Sequence, residues 1–174
     1  MNLSGIFYYL GKINLLIVFF SIINLLYCFY FDFKINLEIY FYTLIISSAY
    51  YLITFRIKFK KNFKTNNLIL FAILGWTILP LIMSLPFWFG GYSSFLNSYF
   101  ETVSGFTSFG ASIFSNKINI LDSPILLWRS STQVVGSIFF VMSIILVFGN
   151  RAINIYPLKF ITKKKDTVYF SLNF

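Results

Sequence analysis

The chain contains no histidine, a single cysteine and only five acidic residues among 174 positions. Without histidine, every acid–base scheme that depends on imidazole is excluded. The single cysteine, Cys28, lies inside an apolar run and cannot support a disulfide framework or a cysteine metal cluster. A membrane enzyme built on the few carboxylates alone is a weak hypothesis, so the sequence predicts a protein that is not an enzyme.

Charge is also scarce, since charged residues make up 11% of the chain and hydrophobic residues 58%. A soluble fold of this composition would lack the polar surface needed to cover its core, so the lipid bilayer is the solvent. Residues 65–100 contain no Asp, Glu, Lys or Arg. This run is longer than the roughly 20 residues that cross a bilayer. The chain must therefore cross once within it and then continue as a different kind of element.

Four membrane-spanning helices are predicted from the apolar runs, at residues 13–31, 39–55, 67–89 and 124–149. A short polar turn at residues 32–38 separates the first two. In the third, Pro80 and Pro86 are expected to kink or end the helix, and the glycines at 90–91 to stop it.

The fourth span is expected to carry Pro124 in its first turn, after a cap at Asp122 or Ser123. A secretion signal is the less favoured interpretation of residues 1–31. Its apolar run is longer than that of a usual signal, and no small-residue cleavage site follows. The domain organisation predicted is a membrane hairpin at 1–64, a pore repeat at 65–150 and a basic tail at 151–174.

Basic residues are distributed unevenly around these spans. If the spans alternate in direction, eleven of the fourteen Lys and Arg residues fall on one side, namely Lys12, Arg56, Lys58, Lys60, Lys61, Lys64, Arg151, Lys159, Lys163, Lys164 and Lys165. By the positive-inside tendency both termini are cytoplasmic, in a multi-pass protein of the cell (inner) membrane. The positive charge is interpreted as an orientation signal with attraction to membrane lipid, and no nucleic-acid partner is expected.

Residues 92–122 would then begin and end outside, and a short helix is predicted there at 93–105. Ser93 or Ser94 can cap this helix and Gly105 can stop it. Thirteen residues span about 20 Å, too little to cross the hydrocarbon. The segment 106–112 that follows is rich in small side chains, and irregular backbone at membrane depth survives only when it is buried in protein or lines a watery cavity. The pattern favours a pore loop, with a plain external loop as the alternative.

The fold class predicted is therefore all-α integral membrane, with four transmembrane helices, one re-entrant pore helix and a filter loop. The carbonyl end of the short helix carries partial negative charge, which favours a dehydrated cation nearby. Carbonyl oxygens of the loop, from Ser108 to Ala111, can replace the hydration shell of an ion.

Two motifs in this region resemble those of a known family. They are Phe100-Glu-Thr-Val-Ser-Gly-Phe-Thr-Ser-Phe-Gly-Ala-Ser112, and Leu127-Trp-Arg-Ser-Ser-Thr-Gln133 followed by Gly136. They resemble the first pore repeat of the Trk/Ktr/HKT potassium transporters, whose loop typically reads Ser-Gly-Phe-Thr-Thr-Thr-Gly-Ala-Thr. The resemblance is specific over about residues 95–137. Before that it is architectural, since two helices precede the repeat as in the bacterial Trk branch.

The resemblance implies potassium as the transported ion and no cofactor. It implies a filter whose ligands are the backbone carbonyls of Thr107, Ser108, Phe109, Gly110 and Ala111, with Gly110 as the filter glycine. Glu101, Gly105 and Arg129 are expected to support the pore. For Glu101 a structural role behind the filter is favoured over ion coordination. For Arg129 the default expectation is snorkelling to the outer headgroups, and pairing with Glu101 is the minority interpretation.

The sequence departs from the family pattern in the loop, in the fourth span and in length. Phe109 replaces a small polar residue, and its ring is expected to pack behind the filter. Ser137, Phe139 and Phe140 stand where the family has glycines and small side chains, which could narrow the conduction path.

The family builds one pore from four repeats, and this chain supplies one. It is therefore expected to join the remaining repeats of another chain, as a fragment or split subunit, or to self-associate as a tetramer. The resemblance also implies a cytoplasmic nucleotide-binding regulatory subunit as a candidate partner. The alternative function is a non-conducting membrane scaffold or a degenerate remnant of such a transporter.

Overall fold

A computed structural model describes residues 3–57, 65–114 and 121–155, without the side chains of residues 65 and 147–155. Every regular element in these ranges is an α-helix: α1 (Leu3–Tyr30), α2 (Lys34–Phe55), α3 (Thr65–Met83), α4 (Leu85–Phe89), α5 (Phe95–Phe106) and α6 (Ser123–Ile155). Four stretches are long and apolar enough to cross a membrane, namely Leu3–Tyr30, Lys34–Phe55, Asn66–Phe89 and Ser123–Leu146. The predicted all-α membrane architecture with four spanning helices is confirmed.

Helices α1 and α2 form an antiparallel hairpin. Near the middle the Asn14 amide donates to the Ser47 carbonyl at 2.7 Å, and farther from the turn Gly11 packs against Thr54. Both helices begin earlier than the predicted spans at 13–31 and 39–55. The polar turn shrinks to residues 31–33, where Asp32 has a φ of 57°. Charges near a span end do not interrupt the helical backbone, because long side chains reach water from within the helix.

The third span is broken near its C-terminal end, as the prolines predicted. α3 continues through Pro80 and ends at Met83, and α4 begins with Pro86 in its first turn. The Trp128 indole donates to the carbonyl of Met83 at 2.9 Å in the buried interior, so a backbone acceptor at the break is satisfied within the protein. Gly90 caps α4 as expected.

Helix α6 crosses against α1, α3 and α5. It begins at Ser123 with Pro124 in its first turn, as predicted, and the Tyr40 hydroxyl of α2 donates to the Pro124 carbonyl at 2.9 Å. The helix continues to Ile155, beyond the predicted span at 124–149. Leaving the apolar region changes the environment of the side chains, and the hydrogen-bonded backbone can continue beyond it. The rest of the predicted tail, 156–174, and most of the basic loop, 58–64, lie outside the described residues.

Candidate ion-binding site

Helix α5 runs in beside α3 and α6 and ends halfway along them. The ring of Phe106, its last residue, lies 5.2 Å from Trp76 of α3 and 5.9 Å from Phe139 of α6, between ring centroids. Its backbone lies directly against Gly136. Trp76 and Gly136 are near the middle of the stretches Asn66–Phe89 and Ser123–Leu146. The 12 residues of α5 span only about 18 Å. Its carbonyl end, which carries partial negative charge, therefore lies at mid-span depth.

The C-terminus of α5 is closed by a left-handed residue three positions beyond the predicted stop. Ser108 has a φ of 56°, its N–H donates to the Gly105 carbonyl at 3.0 Å, and the N–H of Phe109 donates to the Ser104 carbonyl at 3.0 Å. These two bonds form a Schellman motif, in which glycine usually occupies the left-handed position. The prediction that Gly105 ends the helix is wrong. It lies inside the last turn, where a side chain would overlap Thr132 of α6.

Beyond Ser108 the chain reverses direction and returns along α5. Gly110 also has a positive φ, 81°. The Ser104 hydroxyl then donates to the Ala111 carbonyl at 2.5 Å, and one turn earlier on α5 the carboxylate of Glu101 accepts from Ser112 and Ile113. Later residues of the loop thus bond to earlier residues of α5. This order shows that the chain makes a tight turn at 107–111 and then runs back antiparallel to α5.

Glu101 holds this return segment in place. Its side chain is fully buried, with 0% exposure. Oε1 lies 2.7 Å from Nε of Arg129 and accepts from the Ser112 hydroxyl at 2.9 Å, while Oε2 accepts from the Ile113 N–H at 2.9 Å. A buried carboxylate is tolerated when it is paired and hydrogen-bonded in this way. Glu101 therefore joins α5, α6 and the return segment.

The default expectation for Arg129, snorkelling to the outer headgroups, is wrong. Its side chain is only 20% exposed and forms the ion pair with Glu101. The physical reason is that a fully buried carboxylate within reach is a stronger partner than the distant interface, because electrostatic attraction grows as the surroundings become less polar.

The turn itself presents backbone oxygens outward. Residues 107–110 are exposed, and among the described residues no donor bonds the carbonyls of Ser108, Phe109 or Gly110. Ala111 differs from the other predicted ligand residues, because its carbonyl already accepts a hydrogen bond from the Ser104 hydroxyl. The expectation that the Phe109 ring packs behind the turn is wrong for this chain, since the ring is 77% exposed.

Two of the bulky residues in the fourth span occupy different environments. Phe139 is buried, with its ring centroid 5.9 Å from Phe71 and 5.7 Å from Trp76. Phe140 is exposed, as is Ser137. The ring of Phe139 therefore fills the interior between α3 and α6 and does not project from the outer face.

Sequence reasoning did not assign the close contact between α5 and α6. It is made by Gly105 of α5 against Thr132, and by Gly136, four residues further along α6, against Phe106. Two small residues four positions apart in a membrane helix are a known packing signal. That spacing could have identified this contact, whereas the bond from Ser104 to Ala111 has no comparable sequence signal.

Near the α1–α2 turn a separate polar link ties three segments together. The Tyr92 hydroxyl hydrogen is shared between Oδ2 of Asp122, at 2.8 Å, and Oδ1 of Asn36, at 3.0 Å. Burial, reinforced by the hydrogen bond and the charge of Asp122, raises the pKa of Tyr92 well above its ordinary value of 10. The hydroxyl therefore remains a donor in mildly alkaline solution, and it joins the starts of α2 and α6 to the segment that precedes α5.

Comparison with known proteins supports a relationship to cation transporters. Over 79 residues the chain is 29% identical to an uncharacterized cation transporter from Methanocaldococcus jannaschii, a match covering 45% of this chain and 16% of that protein. The chain thus corresponds to a small part of that relative's length. No family model and no solved structure matches the chain. The similarity extends to cation transporters in general and does not distinguish the Trk/Ktr/HKT family from others.

The left-handed Ser108 gives a stability prediction. Ser108→Gly is expected to raise the free energy of unfolding by about 0.5–1 kcal/mol, because left-handed backbone costs a non-glycine residue ~1–2 kcal/mol and glycine returns part of this through its more flexible unfolded state. Denaturant unfolding of the purified protein in detergent measures it. Ser94→Gly is the matched control, since Ser94 is extended and makes no side-chain capping bond. A loss of stability in Ser108→Gly equal to that in the control would contradict the assignment.

Proposed function

We propose that this chain transports a cation, potassium in particular, by contributing one filter loop to a membrane pore. One observation carries the proposal: the carbonyls of Ser108, Phe109 and Gly110 belong to exposed residues at mid-span, just beyond the carbonyl end of α5, and no donor in the described part of the chain bonds them. Backbone oxygens in such a position can replace the hydration shell of an ion. The similarity to a cation transporter supports the same class of function.

In the proposed mechanism the loop binds the ion through dipoles, with no covalent step. The ligands are backbone carbonyls of residues 107–111, and Ala111 contributes the lone pair left free by Ser104. The charge of Glu101 is compensated by Arg129 and its oxygens face the return segment. Glu101 and Arg129 therefore act as positioning residues, which fix the loop without adding a net charge that would hold the ion too tightly to leave.

One loop cannot surround an ion, so the proposed pore needs further repeats, either from another chain or from copies of this one. The exposed ring of Phe109 would then contact a neighbouring repeat. We further propose a cell-membrane location with both termini cytoplasmic, which the distribution of basic residues supports. A cytoplasmic nucleotide-binding regulatory subunit, implied only by the resemblance to the Trk branch, remains a proposed partner.

Rubidium uptake into cells lacking their own potassium transport tests the proposal, with the chain expressed alone and together with the remaining repeats. Gly110→Ala is expected to lower uptake about 5- to 30-fold, the equivalent of the ~1–2 kcal/mol that a left-handed alanine costs. Gly91→Ala is a matched control, because Gly91 also has a positive φ, 67°, and at both positions an added methyl group meets no described atom within 4 Å. This control lies outside the turn and should leave uptake unchanged.

Absence of uptake in both expression experiments, or equal losses in the two glycine variants, would count against conduction. The second candidate function, a non-conducting membrane scaffold, would then be favoured. The specific observation behind it is the exposed Phe140 of α6, a bulky side chain on the face that carries Ser137. Phe139, by contrast, is buried inside the molecule and does not reach that face.

A further inference from the structure

Lys12 is an exposed cation held against aromatic rings. Its Nζ lies 4.9 Å from the ring centroid of Tyr8 and 6.0 Å from that of Tyr9. Cation–π contacts of this kind fix an ammonium group in place while leaving its other donors available. Lys12 thus has a defined position on α1 and retains the capacity to bind an anion.

The same aromatic cluster reaches the second helix and a second cation. The Tyr8 ring stacks on Phe55 of α2, at 6.4 Å between centroids. Gly11, adjacent to Lys12, packs against Thr54, adjacent to Phe55. Arg56 follows Phe55 directly and is exposed. Lys12 and Arg56 therefore belong to one end of the α1–α2 hairpin, where Lys12 contacts one ring of an aromatic stack and Arg56 follows the other ring in sequence.

Both cations lie at the depth of the lipid headgroups. Lys12 is about 27 Å along α1 from Tyr30, and Arg56 is about 33 Å along α2 from Lys34, by the rise of 1.5 Å per residue. The turn between Tyr30 and Lys34 marks one membrane surface. Because the hydrocarbon core is about 30 Å thick, the two cations fall at the opposite surface, where lipid phosphates are found.

The protein supplies no carboxylate for either cation within the described residues, in contrast to Lys34 at the other end of the hairpin, whose Nζ lies 4.0 Å from Asp32. Of the five acidic residues, Asp32 and Glu38 lie at the other end of the hairpin, Glu101 pairs with Arg129, and Asp122 accepts from Tyr92. Residues 39–100 contain no acidic residue at all, and Asp166 lies outside the described residues beside three lysines. The charge of Lys12 and Arg56 is therefore left for an external anion.

We propose that Lys12 and Arg56, beside the Tyr8–Phe55 stack, bind the headgroup phosphate of an anionic phospholipid. Lipid is the occupant favoured by charge complementarity and by depth, since both cations stand where the phosphates of the bilayer are and their aromatic neighbours suit the same interface. This site is independent of whether the loop at residues 107–111 conducts ions.

The test uses the full chain reconstituted in phosphatidylcholine vesicles, with spin-labelled phosphatidylglycerol and spin-labelled phosphatidylcholine as probes. The quantity measured is the ratio of their association constants with the protein. Lys12→Gln and Arg56→Gln are each expected to lower this ratio about fivefold at low salt, the equivalent of ~1 kcal/mol per charge. Lys12→Arg should preserve it. Lys34→Gln removes an exposed charge from the opposite end of the hairpin, where Lys34 already lies 4.0 Å from Asp32, and should leave the ratio unchanged.

Three results would overturn the site. The preference for phosphatidylglycerol could survive in the Lys12→Gln/Arg56→Gln double variant, which would assign it to other basic residues. Lys34→Gln could lower the ratio as much as Lys12→Gln, which would indicate nonspecific charge attraction. Soluble glycerophosphate could compete for the protein as well as the lipid does, which would indicate a free-anion site. Lys12→Arg checks that any loss follows charge and not misfolding.

Discussion

Arg129→Gln is expected to lower the free energy of unfolding by about 3–5 kcal/mol, because it leaves the fully buried carboxylate of Glu101 without its compensating charge. The glutamine still fits the space, so the loss reports charge more than volume. Equilibrium unfolding of the purified protein in detergent measures this value. Rubidium uptake should fall with it, since Glu101 also holds the return segment after the turn.

The matched control is the double variant Glu101→Gln/Arg129→Gln. With both charges removed, the buried pair is replaced by neutral groups, and we expect most of the stability lost in Arg129→Gln to return. The glutamine at position 101 can still accept from Ser112 or Ile113. A double variant no more stable than Arg129→Gln alone would show that the ion pair is not the source of the effect.

Gly136→Ala is expected to displace the carbonyl end of α5 and so impair both stability and uptake. A methyl group at this position would overlap the backbone of Phe106, with only 2.6 Å to its carbonyl carbon. A backbone atom cannot relieve this overlap by changing rotamer, as a side chain can. Overpacking of this kind costs about 1–3 kcal/mol. Because near-ideal geometry is needed for carbonyls to replace ion hydration, uptake is expected to fall about tenfold or more, the equivalent of ~1.4 kcal/mol.

Gly75→Ala provides the comparison for this variant. The added methyl group would meet the ring of Phe139, 2.7 Å from its Cε2 atom, which a side-chain rotation can relieve in part. We expect a loss of stability in Gly75→Ala and a smaller loss of uptake than in Gly136→Ala. The added methyl group reaches Phe106 only through the ring of Phe139, and the backbone contact between Phe106 and Gly136 is kept. Equal losses of uptake in two variants of equal stability would mean that α5 is not positioned by Gly136.

The fold was largely predictable because membrane spans are recognised by local composition. The four spans, the break near Pro86 and the short helix before the turn all follow from run lengths and from residues with special backbone properties. Two of the errors lie where a local feature has a distant partner. Gly105 suggested a helix end, but its missing side chain serves contact with Thr132. Arg129 suggested snorkelling, but Glu101 lies within 2.7 Å of its Nε.

The sequence by itself determined that this protein has the bilayer as its solvent, that four helices span it, and that a short helix with a small-residue turn lies between the last two. These properties depend on the composition of consecutive residues, which can be read from the sequence without knowing how the chain folds. Only the tertiary structure decided that Glu101 pairs with Arg129, that Gly136 receives the backbone of Phe106, and that Tyr8, the ring beneath Lys12, stacks on Phe55. Electrostatic and packing energies depend on distances through space, and these contacts join residues on different helices.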